Sequence, residues 1–174
     1  WHRQDPRVHL MLVGEPSEPA VTAQVQALAK ETEAIIYVPS LSQTHLHWLM
    51  QRCKAVVNTS TSEGQPQACM EAMRLGRPVL VRNIPGNVEV VSHERTGLVF
   101  SSPEEFVALG QRLLAEPDWA SAVAARGQRH VKEAYAPASE QAAYGALLRG
   151  LQRGGPPSGV GGRKQSTASL TESD

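Results

Sequence analysis

Glu63 and Glu71 stand with seven residues between them, in the run Ser-Glu-Gly-Gln-Pro-Gln-Ala-Cys-Met-Glu-Ala-Met-Arg-Leu-Gly-Arg-Pro-Val-Leu-Val that occupies residues 62–81. Two carboxylates this close in sequence do joint chemistry only if local structure holds them together. The order of residue types shows how that would happen. Lys-Ala-Val-Val-Asn at 54–58 is a short β-branched run, which suits a strand buried in a parallel sheet. From Pro66 onward good helix formers predominate, with Ala68, Ala72, Met73 and Leu75 apolar and Gly76 where a left-handed C-terminal residue is wanted. Pro66 fits the first turn, where its missing N–H costs nothing. Glu63 and Gly64 then lie just ahead of a helix N-terminus, whose free N–H groups and positive dipole end favour an anion. Glu71 falls one to two turns inside the helix. A phosphate at the helix start, flanked by carboxylates that accept hydrogen bonds from sugar hydroxyls, is chemistry suited to a nucleotide sugar. The alternative is that Glu63 is a favourable charge near a helix start and Glu71 a solvated helix residue.

The elements needed to position these groups can be read on either side. Residues 8–13 form an apolar run closed by Gly14-Glu15-Pro16, which predicts a strand and a turn. Val21, Val25 and Leu28 recur at helical spacing, and residues 34–38 form a second short strand stopped by Pro39. Ser42 can cap a helix carrying Leu46, Leu49 and Met50. After the central helix come strands at 78–82 and 98–100. Strand and helix alternate throughout, so the fold class is α/β, a Rossmann-like, doubly wound parallel sheet. Ser102-Pro103-Glu104-Glu105 is a strong helix start with Phe106, Leu109, Leu113 and Leu114 on its apolar stripe, and a further helix follows Pro117. Residues 135–151 are expected to be helical in part. From residue 153 the chain turns to Gly, Pro, Ser and Thr, so the expected organisation is one domain over 1–152 and a disordered tail over 153–174.

The wording around the two glutamates extends the pattern to Ser-Glu-Gly-x-Pro-x-x-x-x-Glu-Ala-Met-x-x-Gly-x-Pro-Val. It is followed by Asn83-Ile84-Pro85-Gly86-Asn87, Glu89-Val90-Val91 and Thr96-Gly97-Leu98-Val99-Phe100. This resembles the E-x7-E signature and the Gly-x-x-E-x-V and Asn-Gly-x-x-Val segments of the retaining group 1 (family 4) glycosyltransferases, over roughly residues 8–135. The resemblance implies the C-terminal, nucleotide-sugar-binding half of a GT-B fold. It implies that Glu71 accepts from the ribose hydroxyls and Glu63 contacts the donor sugar. Gly64 and Gln65 would offer backbone N–H groups near the diphosphate, Tyr37 and Val38 would flank the base, and Gly14 would allow close approach at the first loop. The implied donor is a nucleoside-diphosphate sugar, with no cofactor and no metal. In that family an Arg and a Lys that neutralise the diphosphate precede the strand that is first here, and an N-terminal domain supplies the acceptor site. The resemblance therefore implies a donor-binding domain whose catalytic residues lie largely outside this chain and which transfers no sugar alone. The rival is a catalytically silent nucleotide-sugar-binding or interaction module.

Other features set bounds. The 174 residues carry 17 basic and 17 acidic side chains, a formal charge of zero, so no basic field recruits nucleic acid or an anionic membrane. Gly14-Glu15-Pro16 lacks the G-x-G-x-x-G pattern of a nicotinamide dehydrogenase. His45 and His47 are two apart on a helix and face different ways, which predicts solvated or partly packed side chains rather than metal ligands. His93 and Arg82 read as loop and surface residues near the ligand edge. Cys53 and Cys69 lack metal spacing and are expected to be reduced, buried thiols, which favours a reducing, cytoplasmic compartment. No window reaches the ~18 apolar residues of a membrane span.

Overall fold

A computed structural model describes residues 1–16 and 18–152, so the tail expected over 153–174 lies outside the described residues. Elements alternate as β1 (Leu10–Val13), α1 (Pro19–Glu31), β2 (Ile35–Val38), α2 (Gln43–Met50), β3 (Val56–Asn58), α3 (Gln67–Arg74), β4 (Val79–Arg82), α4 (Pro85–Val90), β5 (Leu98–Phe100), α5 (Pro103–Ala115), α6 (Pro117–Ala134) and α7 (Pro137–Gln152). The chain forms two compact units, Trp1–Ala134 and a second beginning at Tyr135 that contains α7. No described helix is long and apolar enough to cross a membrane.

All strand pairing is parallel, as the alternation of short apolar runs and helices predicts. The ladder, however, is interrupted. β1 pairs with β2 in the register Leu10 to Ile35, whereas β3, β4 and β5 form a separate ladder with β4 at its centre, Val57 opposite Leu80 and Leu80 opposite Leu98. β4 is buried on both sides, with Val79, Leu80 and Val81 at 0–1% exposure. Its run of apolar residues is therefore continuous instead of alternating.

The core collects around the second ladder. Leu80, Leu98 and Phe100 pack with Leu113 of α5 and Ala120 of α6, and Phe106, Leu109 and Trp119 close over them. Phe106 meets Phe100 and Trp1 edge to face, at centroid distances of 5.2 and 5.9 Å. Met73 of α3 and Val123 and Val131 of α6 are fully buried. α6 lies so close to the loop before β5 that a Cβ on Gly127 would come within 2.3 Å of the Thr96 carbonyl oxygen.

Helix ends follow the sequence closely. Ser42 accepts a hydrogen bond from the His45 N–H (3.3 Å), and Ser102 accepts one from the Glu105 N–H (3.2 Å). Glu105 reaches back to the Ser101 N–H (2.6 Å), one residue before the cap. Gly76 ends α3 with φ +71°, the left-handed residue that the sequence requires. Two details differ from expectation. Pro66 is the cap of α3 rather than a residue of its first turn, because the helix begins at Gln67. α4 is a six-residue helix that starts at Pro85.

Both cysteines are free. Cys69 is 1% exposed, and burial, reinforced by the nearby Glu63 charge, pushes its thiol up to about 12. We expect native Cys69 to resist alkylation at pH 8 while the unfolded chain reacts at both thiols, as thiol titration with and without denaturant will show. Because the folded pKa is raised, the unfolded chain loses this proton first. Stability should fall as pH rises from about 9 towards 12, by at most ~1.4 kcal/mol per pH unit from this group.

Candidate functional site

Glu63 is held from the carboxyl end of β3, in a network that also takes in the end of β4. Asn58, the last residue of β3, donates from Nδ2 to Glu63 Oε1 at 2.9 Å, and its Oδ1 accepts from the Ser60 N–H at 3.0 Å. The same Oδ1 accepts from Asn87 Nδ2 of α4 at 3.2 Å, and Asn87 Nδ2 also donates to the Arg82 carbonyl at the end of β4, at 3.0 Å. Two amide side chains thus tie β3, β4, α4 and the Glu63 loop into one network. Asn87 is fully buried, and its Oδ1 has no partner among the described residues. The bond from Asn58, helped by the Ser60 side chain, lowers the Glu63 pKa, so this carboxylate is held ionised at neutral pH.

The Glu63 backbone is held as tightly as its side chain. A Cβ on Gly86 would lie 2.1 Å from the Glu63 carbonyl oxygen and 2.8 Å from its carbonyl carbon. Glycine is therefore dictated at Gly86 by the close approach of α4 to the loop. At Gly14 and Gly64 neither a positive φ nor crowding dictates it, since a Cβ there would meet nothing within 4 Å. The side of each residue where a side chain would stand is open.

Glu71 is the fifth residue of α3, with its side chain 32% exposed, and its Oε2 lies 3.3 Å from His47 Nε2 on α2. His45 turns the other way, its Nδ1 3.1 Å from the Ser42 hydroxyl. His47 is partly packed, as expected, but its contact with Glu71 was not legible in the sequence. Gln65, in the loop before α3, is tied locally, its side-chain oxygen accepting from Gln67 Nε2 at 2.9 Å. At the first ladder, the Tyr37 hydroxyl donates to the Gly14 carbonyl at 3.2 Å, and the Gly14 N–H donates to the Val38 carbonyl at 3.2 Å. Gly14, Tyr37 and Val38 therefore form one group at the carboxyl ends of β1 and β2.

A cleft of about 220 Å³ beside this group is lined by Leu12, Gly14, Val21, Val25 and Tyr37, among others. A larger one, about 400 Å³, lies against α4 and β5 and is lined by Asn83, Val91, Ser92, His93 and Ser101 among others. Neither of these two is lined by Glu63 or Glu71. His93 Nδ1 accepts from the Val99 N–H at 3.0 Å, so this histidine caps the edge of β5. Arg82 donates to the Thr59 carbonyl at 3.3 Å and braces the loop ahead of Glu63. Among the described residues, no group of three or more His, Cys, Asp or Glu side chains is placed to hold a metal ion.

Comparison with known proteins bears on the family and the fold. Residues 1–130 match the family model for glycosyl transferases group 1. A protein named glycosyltransferase 1 domain-containing protein 1, from Xenopus tropicalis, is 37% identical over 155 residues, covering 89% of this chain and 45% of that protein. The chain thus spans less than half the length of this relative. Sucrose-phosphate synthase from Thermosynechococcus elongatus superposes with a TM-score of 0.78 at 25% identity, over 87% of this chain and 40% of that one. Anabaena HepE in complex with UDP-glucose superposes with a TM-score of 0.75 at 20% identity, over 83% and 41%. The C-terminal domain of a group 1 glycosyl transferase from Francisella tularensis gives 0.67 at 17% identity, over 77% and 73%. The fold is that of the Rossmann-like C-terminal half of GT-B enzymes, and the chain belongs to the glycosyl transferases of group 1.

Proposed function

We propose that this chain is the donor-binding domain of a retaining, family 4 glycosyltransferase, with Glu63 and Glu71 as its E-x7-E pair and a nucleoside-diphosphate sugar as its ligand. The observation that carries this reading is the ionised Glu63, fixed by Asn58 just ahead of α3, with Glu71 five residues into the same helix. A carboxylate held in place before a ligand arrives is suited to accept from sugar hydroxyls at little ordering cost. Glu71 accepts from the ribose, and Gly64 and Gln65 present N–H groups to the diphosphate. Gly14, Tyr37 and Val38 form the base end of the site. The open space at Gly14 and Gly64, where packing does not demand glycine, supports close approach of a ligand to the backbone. HepE binds UDP-glucose on the same fold.

On this reading the domain 1–152 binds donor without any metal. Transfer itself would further need the Arg and Lys that in this family precede the first strand and neutralise the diphosphate, and the acceptor site of an N-terminal GT-B domain that acts as its partner. Titration calorimetry of the chain with UDP-, GDP- and ADP-glucose tests the reading. One of the three should bind with 1:1 stoichiometry in a buffer containing a chelator, and Gly64→Ala should weaken that binding without lowering the melting temperature. Absence of heat with all three sugars, or an unchanged affinity in Gly64→Ala, counts against the assignment.

A further inference from the structure

We infer that His47 is a positioning residue for Glu71, holding the carboxylate in the orientation in which it meets the ribose, without itself touching the ligand; this rests on the donor-binding reading above. His47 lies in the last turn of α2 and Glu71 in the middle of α3, 24 residues later. Their side chains are 35% and 32% exposed, so the contact is partly withdrawn from water and less screened than a fully exposed pair. It uses Oε2 and does not occupy Oε1. An Nε2–H on the imidazole is the donor that suits this carboxylate oxygen.

A glutamate on a helix face has three side-chain torsions to restrict, and it meets a ligand in one geometry only. Restricting them before binding removes an ordering cost that otherwise reduces affinity, about 2- to 10-fold for one flexible side chain. The same logic already governs Glu63, which Asn58 fixes from β3. The two glutamates are thus oriented from two different elements, Glu63 from β3 and Glu71 from α2. α2 itself follows directly on β2, the strand that ends in Tyr37 and Val38.

The test is a set of titrations of the full chain with the tightest of UDP-, GDP- and ADP-glucose, each beside a thermal melt. His47→Ala should lower affinity 2- to 10-fold with little change in melting temperature. His47→Gln, whose amide reaches Oε2 as a donor, should restore most of the loss. In the double variant His47→Ala/Glu71→Gln, removing His47 should cost nothing beyond Glu71→Gln alone. His47→Asn, which stops short of Oε2, gives the same comparison should the alanine variant fail to fold. Wild-type affinity in His47→Ala, alongside a weakened Glu71→Gln, overturns the inference and leaves the donor reading standing. A loss that persists in the Glu71→Gln background also overturns it, because His47 then acts on the ligand by another route. Unchanged affinity in Glu71→Gln itself overturns the donor reading instead.

Discussion

Gly86→Ala will unseat α4 from the Glu63 loop and destabilise the protein by about 3 kcal/mol. The new methyl group would arrive 2.1 Å from the Glu63 carbonyl oxygen and 2.8 Å from its carbonyl carbon. Backbone atoms cannot swing aside as the end of a long side chain can, so either α4 or the loop must move. Overpacking of this kind costs ~1–3 kcal/mol. Here the displacement also strains the Asn87 bonds to Asn58 and to the Arg82 carbonyl, and each buried bond lost adds ~1–3 kcal/mol. For a domain of this size each kcal/mol lowers the melting temperature by roughly 2–4 °C, so a drop of about 6–12 °C is expected. Donor affinity should fall with it, since Glu63 is moved from its Asn58 partner. Gly64→Ala is the control, because the space around Gly64 is open. A melting temperature within about 2 °C of wild type for Gly86→Ala would show that α4 and the loop yield freely.

The second large effect is on binding. Glu71→Gln should weaken the preferred nucleoside-diphosphate sugar by ~10-fold or more and leave the melting temperature almost where it was. A carboxylate accepting from ribose hydroxyls makes charge-assisted bonds worth ~1.5–3 kcal/mol, and the amide turns one of its acceptors into a donor. Stability is little affected because the pair with His47 is about two-thirds shielded at most, a setting in which ion pairs contribute ~1 kcal/mol or less. The amide oxygen can also still accept from Nε2. Equal affinities of wild type and variant would leave the glutamate spacing as ancestry without a working ribose site. A fall in melting temperature of several degrees would assign Glu71 to the fold.

The parts of this fold that were legible in the sequence are those set by local chemistry. The strand runs, the Ser42 and Ser102 caps, and the left-handed Gly76 each depend on neighbours within four residues, and each stands where the residue types put it. α4 was harder to see. It is short, it contains Gly86 and Asn87, both poor helix formers, and only Pro85 at its first position signals a start. The two glutamates were legible as a spaced pair, but the groups that orient them were not. Asn58 and Asn87 are 29 residues apart and His47 and Glu71 24 apart, and each pair is brought together by chain crossovers that no local periodicity encodes. The same holds for Trp1 against Gly110 of α5, a contact in which glycine at 110 admits the indole. The break between the two ladders was likewise invisible, since every strand run predicts pairing without naming its partner.

That break divides the protein by resistance to opening. In the second ladder Leu80 and Leu98 are sealed, and amides there are expected to exchange most slowly. In the first, α1 has no buried residue, and Leu10, Met11, Val21, Leu28 and Ile36 are 38–51% exposed. A two-stranded ladder with so little covered surface is marginal on its own. Residues 10–38 are therefore expected to open before the second ladder, at a smaller free energy than global unfolding. Gly14, Tyr37 and Val38 sit at the first ladder, whereas Glu63 and Glu71 sit beside the second. A nucleotide bridging the two would close the looser part onto the firmer, so that ligand occupancy would be felt first as slowed hydrogen exchange in β1 and β2.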